Sequence, residues 1–334
     1  MITAVSDGFQ VGNYLIRGSP FETNEGIWTF SHLFHTPIAA NQGVRVWLEP
    51  KTFQLNQELA PIAEAKMAEI RQKNPKAFDG LGVGLREIIA PDVRRSLWWP
   101  SLKFWRAYYS TALATHENLN FYLTNGQTIR EKYGHRVLPL ETSPFPMRPQ
   151  VACVLLTKSS RRTADSLEWI SVQRSGRMAV AANQYHISIV DGIKLTETDL
   201  ALTTARQLSL WDDVILTQGV DELSLDQMSE DFLAELANNA ELLGIFLDLD
   251  RLQPCLPCKT VTDRSAKEIL TNAQRHTPKD AWETRQRTAR PFTPKAIAEF
   301  LRDPKIEMPV VGQLALILAL IELFDNEEVD RAFS

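Results

Sequence analysis

Two spacings of apolar residues alternate along this chain, and each predicts a different kind of element. Within 59–73, apolar side chains recur at 59, 62, 63, 67 and 70, which is the period of an amphipathic helix. Residues 185–190, Tyr-His-Ile-Ser-Ile-Val, alternate as a strand with one buried face does. The same reasoning predicts strands over 43–48, 119–123, 150–157, 167–174 and 244–249, and helices over 99–116, 199–211 and 225–243.

Two features connect these elements into larger units. Charged turn residues separate 150–157 from 167–174, so these two strands are predicted to form a hairpin. From 280 onward the pattern is helical, and Thr293 followed by Pro294 is typical of a helix start.

A proline-rich segment at 138–149 marks the main boundary in the chain. Its prolines, at 139, 144, 146 and 149, are excluded from helix interiors, because proline lacks the N–H that a helix needs and its ring clashes with the preceding turn. We therefore predict three units: an N-terminal α+β region (1–147), a central domain (148–260) and a C-terminal helical region packed on it (261–334).

Composition limits the classes of protein to which the chain can belong. Its 334 residues are 44% hydrophobic and 23% charged, which is enough apolar material for a sizeable core. The longest apolar run, 314–323, contains Glu322 and is far shorter than the roughly 20 residues of a membrane span. The first residues lack the basic and apolar segments of a secretion signal, so we expect a soluble, cytoplasmic protein with no membrane partner. A net charge of −5 offers no general attraction for nucleic acid.

The segment 192–214 carries the spacing of a catalytic motif without its acids. The pattern Gly-x5-Glu-x7-Arg-Glu-aliphatic-x-Glu-Glu-x-Gly-aliphatic, aligned on Gly192, places Arg206 at the arginine. Leu208 and Val214 fall at the two aliphatic positions. The remaining positions hold Thr198 and Gln207 for the first two glutamates, Leu210 and Trp211 for the Glu-Glu pair, and Asp213 for the second glycine.

In this spacing the segment resembles the box of the Nudix hydrolase superfamily. Two flanking features extend the resemblance to about 148–260: Gln173-Arg174-Ser175 at the end of a predicted strand, and the aromatic strand from Tyr185 that leads to Gly192. The resemblance implies an α+β fold, in which a Nudix-like α/β/α sandwich with a mixed sheet carries an N-terminal α+β region and C-terminal helices.

The missing acids change the function that the resemblance implies. In the family, box glutamates bind Mg²⁺ or Mn²⁺, hard cations that require oxygen ligands, and Leu210 and Trp211 supply none. We therefore expect a catalytically degenerate protein, a pseudoenzyme without a cofactor, that binds a nucleotide-type ligand or a protein partner and performs no Mg²⁺-dependent hydrolysis. Two alternatives stay open: a diverged nucleoside-diphosphate-type pyrophosphohydrolase that uses other acids with Mg²⁺ or Mn²⁺, and a structural or scaffold protein.

Candidate site residues follow from the same alignment, although none is assigned as catalytic or as a metal ligand. Arg206 can also pair with Asp199 or Glu197, and Trp211 can lie with Leu210 in the core, because large apolar side chains favour burial. The ligand-binding candidates are Arg174, Arg206, Gln207 and Trp211, and the acids of an active enzyme would be Glu197, Asp199, Asp212 and Asp213.

Further patterns have both a chemical and a structural interpretation. Cys255-Leu-Pro-Cys258 has the spacing of zinc knuckles and redox loops, but a zinc site needs four ligands and Cys153 is remote in sequence. The segment Arg94–Tyr109 interleaves cations with aromatic rings, as single-stranded nucleic-acid binding does; the alternative is an inward-packed aromatic face with outward cations. The pair His32 and His35 lacks the further ligands of a metal site. The acidic helix with Glu230, Asp231 and Glu235 is interpreted as a solvated face, and metal binding is the alternative.

Overall fold

The fold is described from a computed structural model. It describes residues 2–5, 8–20, 22–23, 26–27, 38–39, 44–73, 75, 77–89, 101–158, 167–176, 182–278 and 281–334. Within these ranges the chain has the mixed α+β architecture that its sequence predicts.

Short strands occupy the described residues before position 44. The first three form an antiparallel meander, and the backbone N–H of Asn13 beside it donates to the carbonyl of Phe333 at 2.8 Å, which ties this region to the C-terminus. These strands are β1 (Ile2–Val5), β2 (Gly8–Val11), β3 (Tyr14–Ile16), β4 (Gly18–Pro20), β5 (Glu22–Thr23), β6 (Gly26–Ile27) and β7 (Ile38–Ala39).

A four-stranded sheet follows, with the predicted helix α1 (Ala60–Lys73) between two of its strands. Its order is β15-β8-β10-β9, and β8 runs parallel to β10. Alternate apolar side chains such as Val46 and Leu48 are buried, which is why this pattern forms a strand. The strands are β8 (Arg45–Thr52), β9 (Leu81–Ile89), β10 (Ser101–Tyr108) and β15 (Arg206–Leu208).

The main sheet is mixed and is built around one long buried strand, β11 (Gln150–Lys158). This strand runs parallel to β18 and antiparallel to β12 and β14, and Leu156 pairs with Trp169 in the predicted hairpin. Strand β12 also pairs with β13 and β19. The remaining strands described after β11 are β12 (Leu167–Arg174), β13 (Tyr185–His186), β14 (Ile189–Gly192), β16 (Glu241–Leu242), β17 (Phe246–Asp248), β18 (Gln253–Ser265) and β19 (Thr284–Pro291).

The described helices outside α1 are mostly short, and several are extended by tighter or wider turns. A π-helix at Leu210–Leu216 runs directly into the helix that follows it, and 3₁₀ turns lie at Gly134–Arg136, Leu140–Thr142, Leu225–Gln227 and Ala281–Glu283. The helices are α2 (Tyr109–Leu113), α3 (Ile129–Tyr133), α4 (Glu197–Leu200), α5 (Thr217–Leu223), α6 (Glu230–Asn239), α7 (Ala266–His276), α8 (Pro294–Arg302), α9 (Val310–Leu323) and α10 (Asn326–Phe333).

Helices cover both faces of the main sheet, so β11 is buried on each side. One set of its side chains, including Val151 and Cys153, packs with residues of the π-helix, α5, α6 and α7. The alternate set, including Ala152 and Val154, packs with α8, α9 and α10. A strand between two helical layers is expected to read as a continuous apolar run, and 150–157 does so.

Several predicted elements are corrected by the structure. The helix predicted over 99–116 is wrong for 101–108, which is the central strand β10. Both faces of this strand are buried, and a doubly buried strand is hard to distinguish from a helix by periodicity. The predicted strand at 119–123 is wrong, since this stretch forms turns with one isolated bridge. The helical pattern predicted from 280 onward is wrong for 284–291, which is strand β19.

The helix predicted over 199–211 is also wrong. Helix α4 ends at Leu200, and 206–208 is strand β15, which pairs with the edge of β8. Pairing with a sheet edge outweighs the weak helical period, because an isolated helix of this length gains little stability by itself.

None of the helices in the described part of the chain has both the length and the apolar character needed to cross a bilayer. The most apolar, α9, is 14 residues long and is buried between β11, β18 and the neighbouring helices.

Candidate functional site

The segment that resembles a Nudix box is held by an internal ion pair. Arg206 donates from Nε and Nη2 to Asp199 Oδ1 at 3.0 and 2.6 Å, and its Nη1 lies 3.5 Å from Asp213 Oδ1. Asp199 is buried and its Oδ2 also accepts from Thr196 N and Oγ1. Burial acts to raise the pKa of Asp199, but the hydrogen bonds from Thr196 and Arg206 outweigh it and the pKa is lowered. The predicted pairing of Arg206 with Asp199 is confirmed.

The other residues of this alignment serve local structure. Trp211 is 2% exposed and Leu210 is fully buried, so their predicted core position is confirmed. Asp212 Oδ2 accepts from Ser209 Oγ at 2.7 Å, Asp213 Oδ2 accepts from Ser209 N at 2.7 Å, and Gln207 is exposed on β15. Glu197 begins α4, and its side chain lies outside the described residues.

The Cys255–Cys258 motif lies within β18, where its thiols belong to different cores. Cys255 packs on the α9 side and Cys258 beside Cys153 on the opposite side, so the two thiols face away from each other. All three thiols are free, and burial raises the pKa of each. Among the described residues, no group of three or more His, Cys, Asp or Glu could hold a metal ion.

Of the cation-aromatic segment, 101–109 is described and supports inward packing of the aromatic rings, but not an outward position for every cation. Arg106 is buried and donates to backbone carbonyls. Phe104 and Trp105 are buried, while Lys103 Nζ pairs with Glu87 Oε2 at 2.7 Å. Arg94 and its neighbours at 90–100, like His32 and His35, lie outside the described residues.

Acids and a lysine converge where α5 approaches β14. Lys194 Nζ lies 2.7 Å from Asp191 Oδ2 and 3.0 Å from Asp221 Oδ2, so one ammonium group bridges two carboxylates. Burial acts to lower the pKa of Lys194, but the two carboxylates outweigh it and the pKa is raised. Lys194 therefore stays charged and compensates this pair of acids.

Beside this pair, the next residue of α5, Glu222, borders a small charged cavity. The cavity lies between α5 and strands β12, β13 and β19, and offers about 10 Å³ to the centre of a water-sized sphere. That volume suits about one water-sized group. Its polar lining consists of Arg174, His186, Glu222, Glu283 and Thr284.

The charged groups of this cavity are partly paired. Arg174 Nη2 lies 3.3 Å from Glu283 Oε2, and Thr284 Oγ1 donates to Glu222 Oε2 at 3.5 Å. Burial raises the pKa of Glu222 to about 7, so this carboxyl group is about half protonated at neutral pH. Of the ligand-binding candidates predicted from sequence, Arg174 is the one that lines this cavity.

His186 is buried in the cavity wall without a hydrogen-bond partner on either ring nitrogen among the described residues. Burial, and then the nearby Arg174 and Arg251, hold its pKa well below the ordinary value. The imidazole is therefore neutral and offers one N–H donor and one acceptor. Arg287 on β19 has buried Nε and Nη2 atoms that also lack a partner in the described part of the chain.

A second charged cluster lies where α2 meets the start of β11. The Arg148 guanidinium lies 5.7 Å from the centre of the Tyr109 ring, and Gln253 Nε2 donates to the Arg148 carbonyl. Arg251 is paired with Glu117, and its carbonyl accepts from His116 Nδ1 at 3.1 Å. Burial lowers the pKa of His116 to about 3, so this ring is neutral as well.

No family model matches the chain, and none of the curated proteins matches it. These comparisons therefore add no support to the Nudix resemblance, which stays a prediction.

Sequence reasoning missed Lys194, Glu222, His186 and Arg287. His186 carried a signal in the sequence. In the alternating strand 185–190, this histidine is expected to project from the face opposite to that of the apolar Ile187 and Ile189. Arg287 carried none, because 285–290 reads Arg-Gln-Arg-Thr-Ala-Arg and has no apolar alternation.

Proposed function

We propose that the chain is a binding protein that does not hydrolyse diphosphates with Mg²⁺ or Mn²⁺, and that its ligand is a nucleotide-type molecule. The observation that carries this proposal is Lys194, whose ammonium group stands between Asp191 and Asp221. A divalent ion that took these carboxylates as oxygen ligands would meet a positive charge already in place.

The charged cavity supports a binding role. It combines Arg174, which is partly exposed, with the buried His186 ring, whose nitrogens have no hydrogen-bond partner among the described residues. Such groups are costly in a folded protein unless something satisfies them. An anionic ligand group supplies acceptors for unpaired N–H donors. A protein partner that presents an acidic side chain is the alternative ligand.

A turnover screen tests the absence of metal-dependent hydrolysis. The purified full-length chain is incubated with nucleoside diphosphate derivatives and Mg²⁺ or Mn²⁺, and released phosphate or mononucleotide is measured. We expect no turnover above the protein-free rate. Turnover that disappears in Asp212→Ala or Asp213→Ala would contradict the proposal, because these acids would then serve catalysis.

A Mn²⁺ titration tests the role of Lys194 directly. We expect Lys194→Met to bind Mn²⁺ at least about tenfold more tightly than the wild type, because the substitution leaves Asp191 and Asp221 without their ammonium partner. Lys295→Met, at an exposed position of α8, is the matched control and is expected to behave as the wild type. Equal Mn²⁺ affinity in all three proteins would contradict the assignment.

A second candidate function is an acid–base enzyme centred on Glu222. The observation that favours it is the pKa of about 7, which suits a general base near neutral pH. If this function is correct, the same screen shows turnover by the wild type. Glu222→Gln abolishes that turnover, and Asp212→Ala and Asp213→Ala retain it.

Thermal shift separates ligand binding from a scaffold role. A nucleotide that binds the folded state must raise its melting temperature. A panel of nucleotides that leaves the melting temperature unchanged would favour a protein partner or a scaffold.

A further inference from the structure

A row of three residues on adjacent strands starts in the cavity wall, at His186 and Val172, and continues beyond the lining to Arg287. Val172 on β12 is the direct partner of His186 on β13 and of Arg287 on β19. Directly paired residues project from the same face of a sheet, with Cβ atoms about 5 Å apart across each pair. A small apolar residue therefore separates two polar side chains that each carry buried nitrogens without a hydrogen-bond partner among the described residues.

The unsatisfied atoms of Arg287 form a binding edge. Its Nε and Nη2 lie on one side of the planar guanidinium, and this side binds a carboxylate or phosphate through two parallel hydrogen bonds. Both atoms are buried and find no acceptor among the described residues. Leaving charged donors unsatisfied costs more than leaving neutral ones, so the edge favours an acceptor from outside the chain.

Protonation of Glu222 decides the charge that faces Arg287. Arg174 is compensated by Glu283, and Lys194 lies between Asp191 and Asp221. Arg287 and Glu222 face each other, and Glu222 is about half protonated at neutral pH. In its protonated form Glu222 leaves the positive charge of Arg287 uncompensated and can itself donate a hydrogen bond.

We propose that this cavity, together with the adjoining Nε–Nη2 edge of Arg287 on the same face of the sheet, is a binding site for one oxyanion group, a carboxylate or a phosphate, held by that edge and by the N–H of His186. The site rests on the proposed binding function and specifies which chemical group of the ligand it recognises. The cavity volume of about 10 Å³ suits one oxygen of that group, and the rest of the ligand lies toward the partly exposed Arg174 and Glu283. A buried water is the competing occupant, because water also satisfies such donors.

Isothermal titration calorimetry with inorganic phosphate and with acetate tests the site at pH 6, where Glu222 is mostly protonated. We expect saturable binding of at least one ion to the wild-type protein and at least about tenfold weaker binding to Arg287→Gln. Arg287→Lys is expected to be similarly weak, because an ammonium group has no two-atom edge. Arg285→Gln, at an exposed position of the same strand, is the matched control and keeps wild-type affinity.

His186→Leu gives an independent readout if Arg287→Gln does not fold, and circular dichroism checks each variant. We expect this variant to weaken binding severalfold, since it removes the imidazole N–H and leaves the guanidinium. Phosphate binding without acetate binding would assign the site to phosphate, and the reverse to carboxylate.

Two results would overturn the inference: no saturable binding of either ion to the wild type, which would leave water as the occupant, or unchanged affinity in both Arg287→Gln and His186→Leu. Neither result bears on hydrolysis, which the turnover screen and the Mn²⁺ titration measure separately.

Discussion

At the scale of single residues, Glu222 shows how neighbours decide the behaviour of a side chain. It is the last acid of α5, and its sequence context, Val220-Asp221-Glu222-Leu223, does not distinguish it from Asp221. In the structure Asp221 is bound to Lys194, while Glu222 faces Arg287 and Arg174 from two strands, together with Asp191 and Glu283. The two adjacent acids therefore have different roles.

The raised pKa of Glu222 leads us to expect that the stability of the protein depends on pH. Its pKa is about 7 in the folded protein against an ordinary value of 4.5, so the folded state keeps a proton that the unfolded chain releases. The free energy of unfolding therefore falls as pH rises from about 4.5 to about 7, and is level above. Glu222→Gln removes this loss, and we expect the variant to be more stable than the wild type by up to about 3 kcal/mol at pH 8.

Urea unfolding at pH 5 and pH 8 measures this difference, with the exposed Glu299→Gln on α8 as control. A variant whose advantage is the same at both pH values would contradict the assignment, because the stabilisation would not depend on ionisation.

At the scale of elements, the sequence predicted strands and helices well where one periodicity was clear. The bounds of α1, β11 and β12 agree closely with the predicted 59–73, 150–157 and 167–174, and Thr293 does cap α8 by accepting from Ala296 N. Prediction was wrong at β10, which is apolar on both faces, and at β15, which forms only because β8 offers an edge. Local periodicity does not show whether both faces of a strand will be buried or whether another strand offers a free edge.

The backbone conformation at the C-terminal end of α5 leads to a testable prediction. Its C-cap, Ser224, has φ 54° and ψ 44°, a left-handed conformation that costs a residue with a Cβ about 1 kcal/mol. We expect Ser224→Gly to stabilise the protein by about 0.5–1 kcal/mol, because glycine adopts this conformation freely. Thermal unfolding measures the change.

Ser224→Ala is the matched control, since it removes the same hydroxyl group and keeps the Cβ. If both substitutions lowered the melting temperature equally, the serine hydroxyl would matter more than the backbone conformation.

At the scale of the whole molecule, the main sheet collects strands from distant parts of the chain. Strand β18 runs parallel to β11, although about a hundred residues lie between their first residues, and this pairing places Cys258 beside the sequence-remote Cys153. Strand β19 adds a further strand from beyond the predicted central domain. Helices α8, α9 and α10 then cover the second face. The predicted α+β class is confirmed, and the finer Nudix-like interpretation and the domain boundaries stay predictions.

The attachment of this outer layer can be measured through one tryptophan. Trp169 on β12 is 1% exposed, and its ring packs edge to face on Phe300 of α8 with centroids 5.2 Å apart. We expect Trp169→Ala to destabilise the protein by about 3–5 kcal/mol, because it opens a cavity between the sheet and the helix. Urea unfolding followed by circular dichroism measures the loss.

The matched control is Trp282→Ala, because Trp282 is 56% exposed. It is expected to change stability by no more than about 0.5 kcal/mol. An equal loss in both variants would contradict the assignment of Trp169 to the contact between the layers.

The sequence by itself determined the α+β class, the hairpin of β11 and β12 and the core positions of Leu210 and Trp211, because these depend on local periodicity and on the preference of apolar side chains for burial. It also offered Asp199 as one of two acids that could pair with Arg206, since these residues lie in one short segment, and the pairing with Asp199 is observed. The tertiary structure alone decided that Lys194 bridges Asp191 to Asp221 and that His186 and Arg287 flank Val172 of β12. Asp221 is distant from Lys194 in sequence and reaches it through the packing of α5 on β14, while the register of the sheet, which no local pattern encodes, places His186 and Arg287 on either side of Val172.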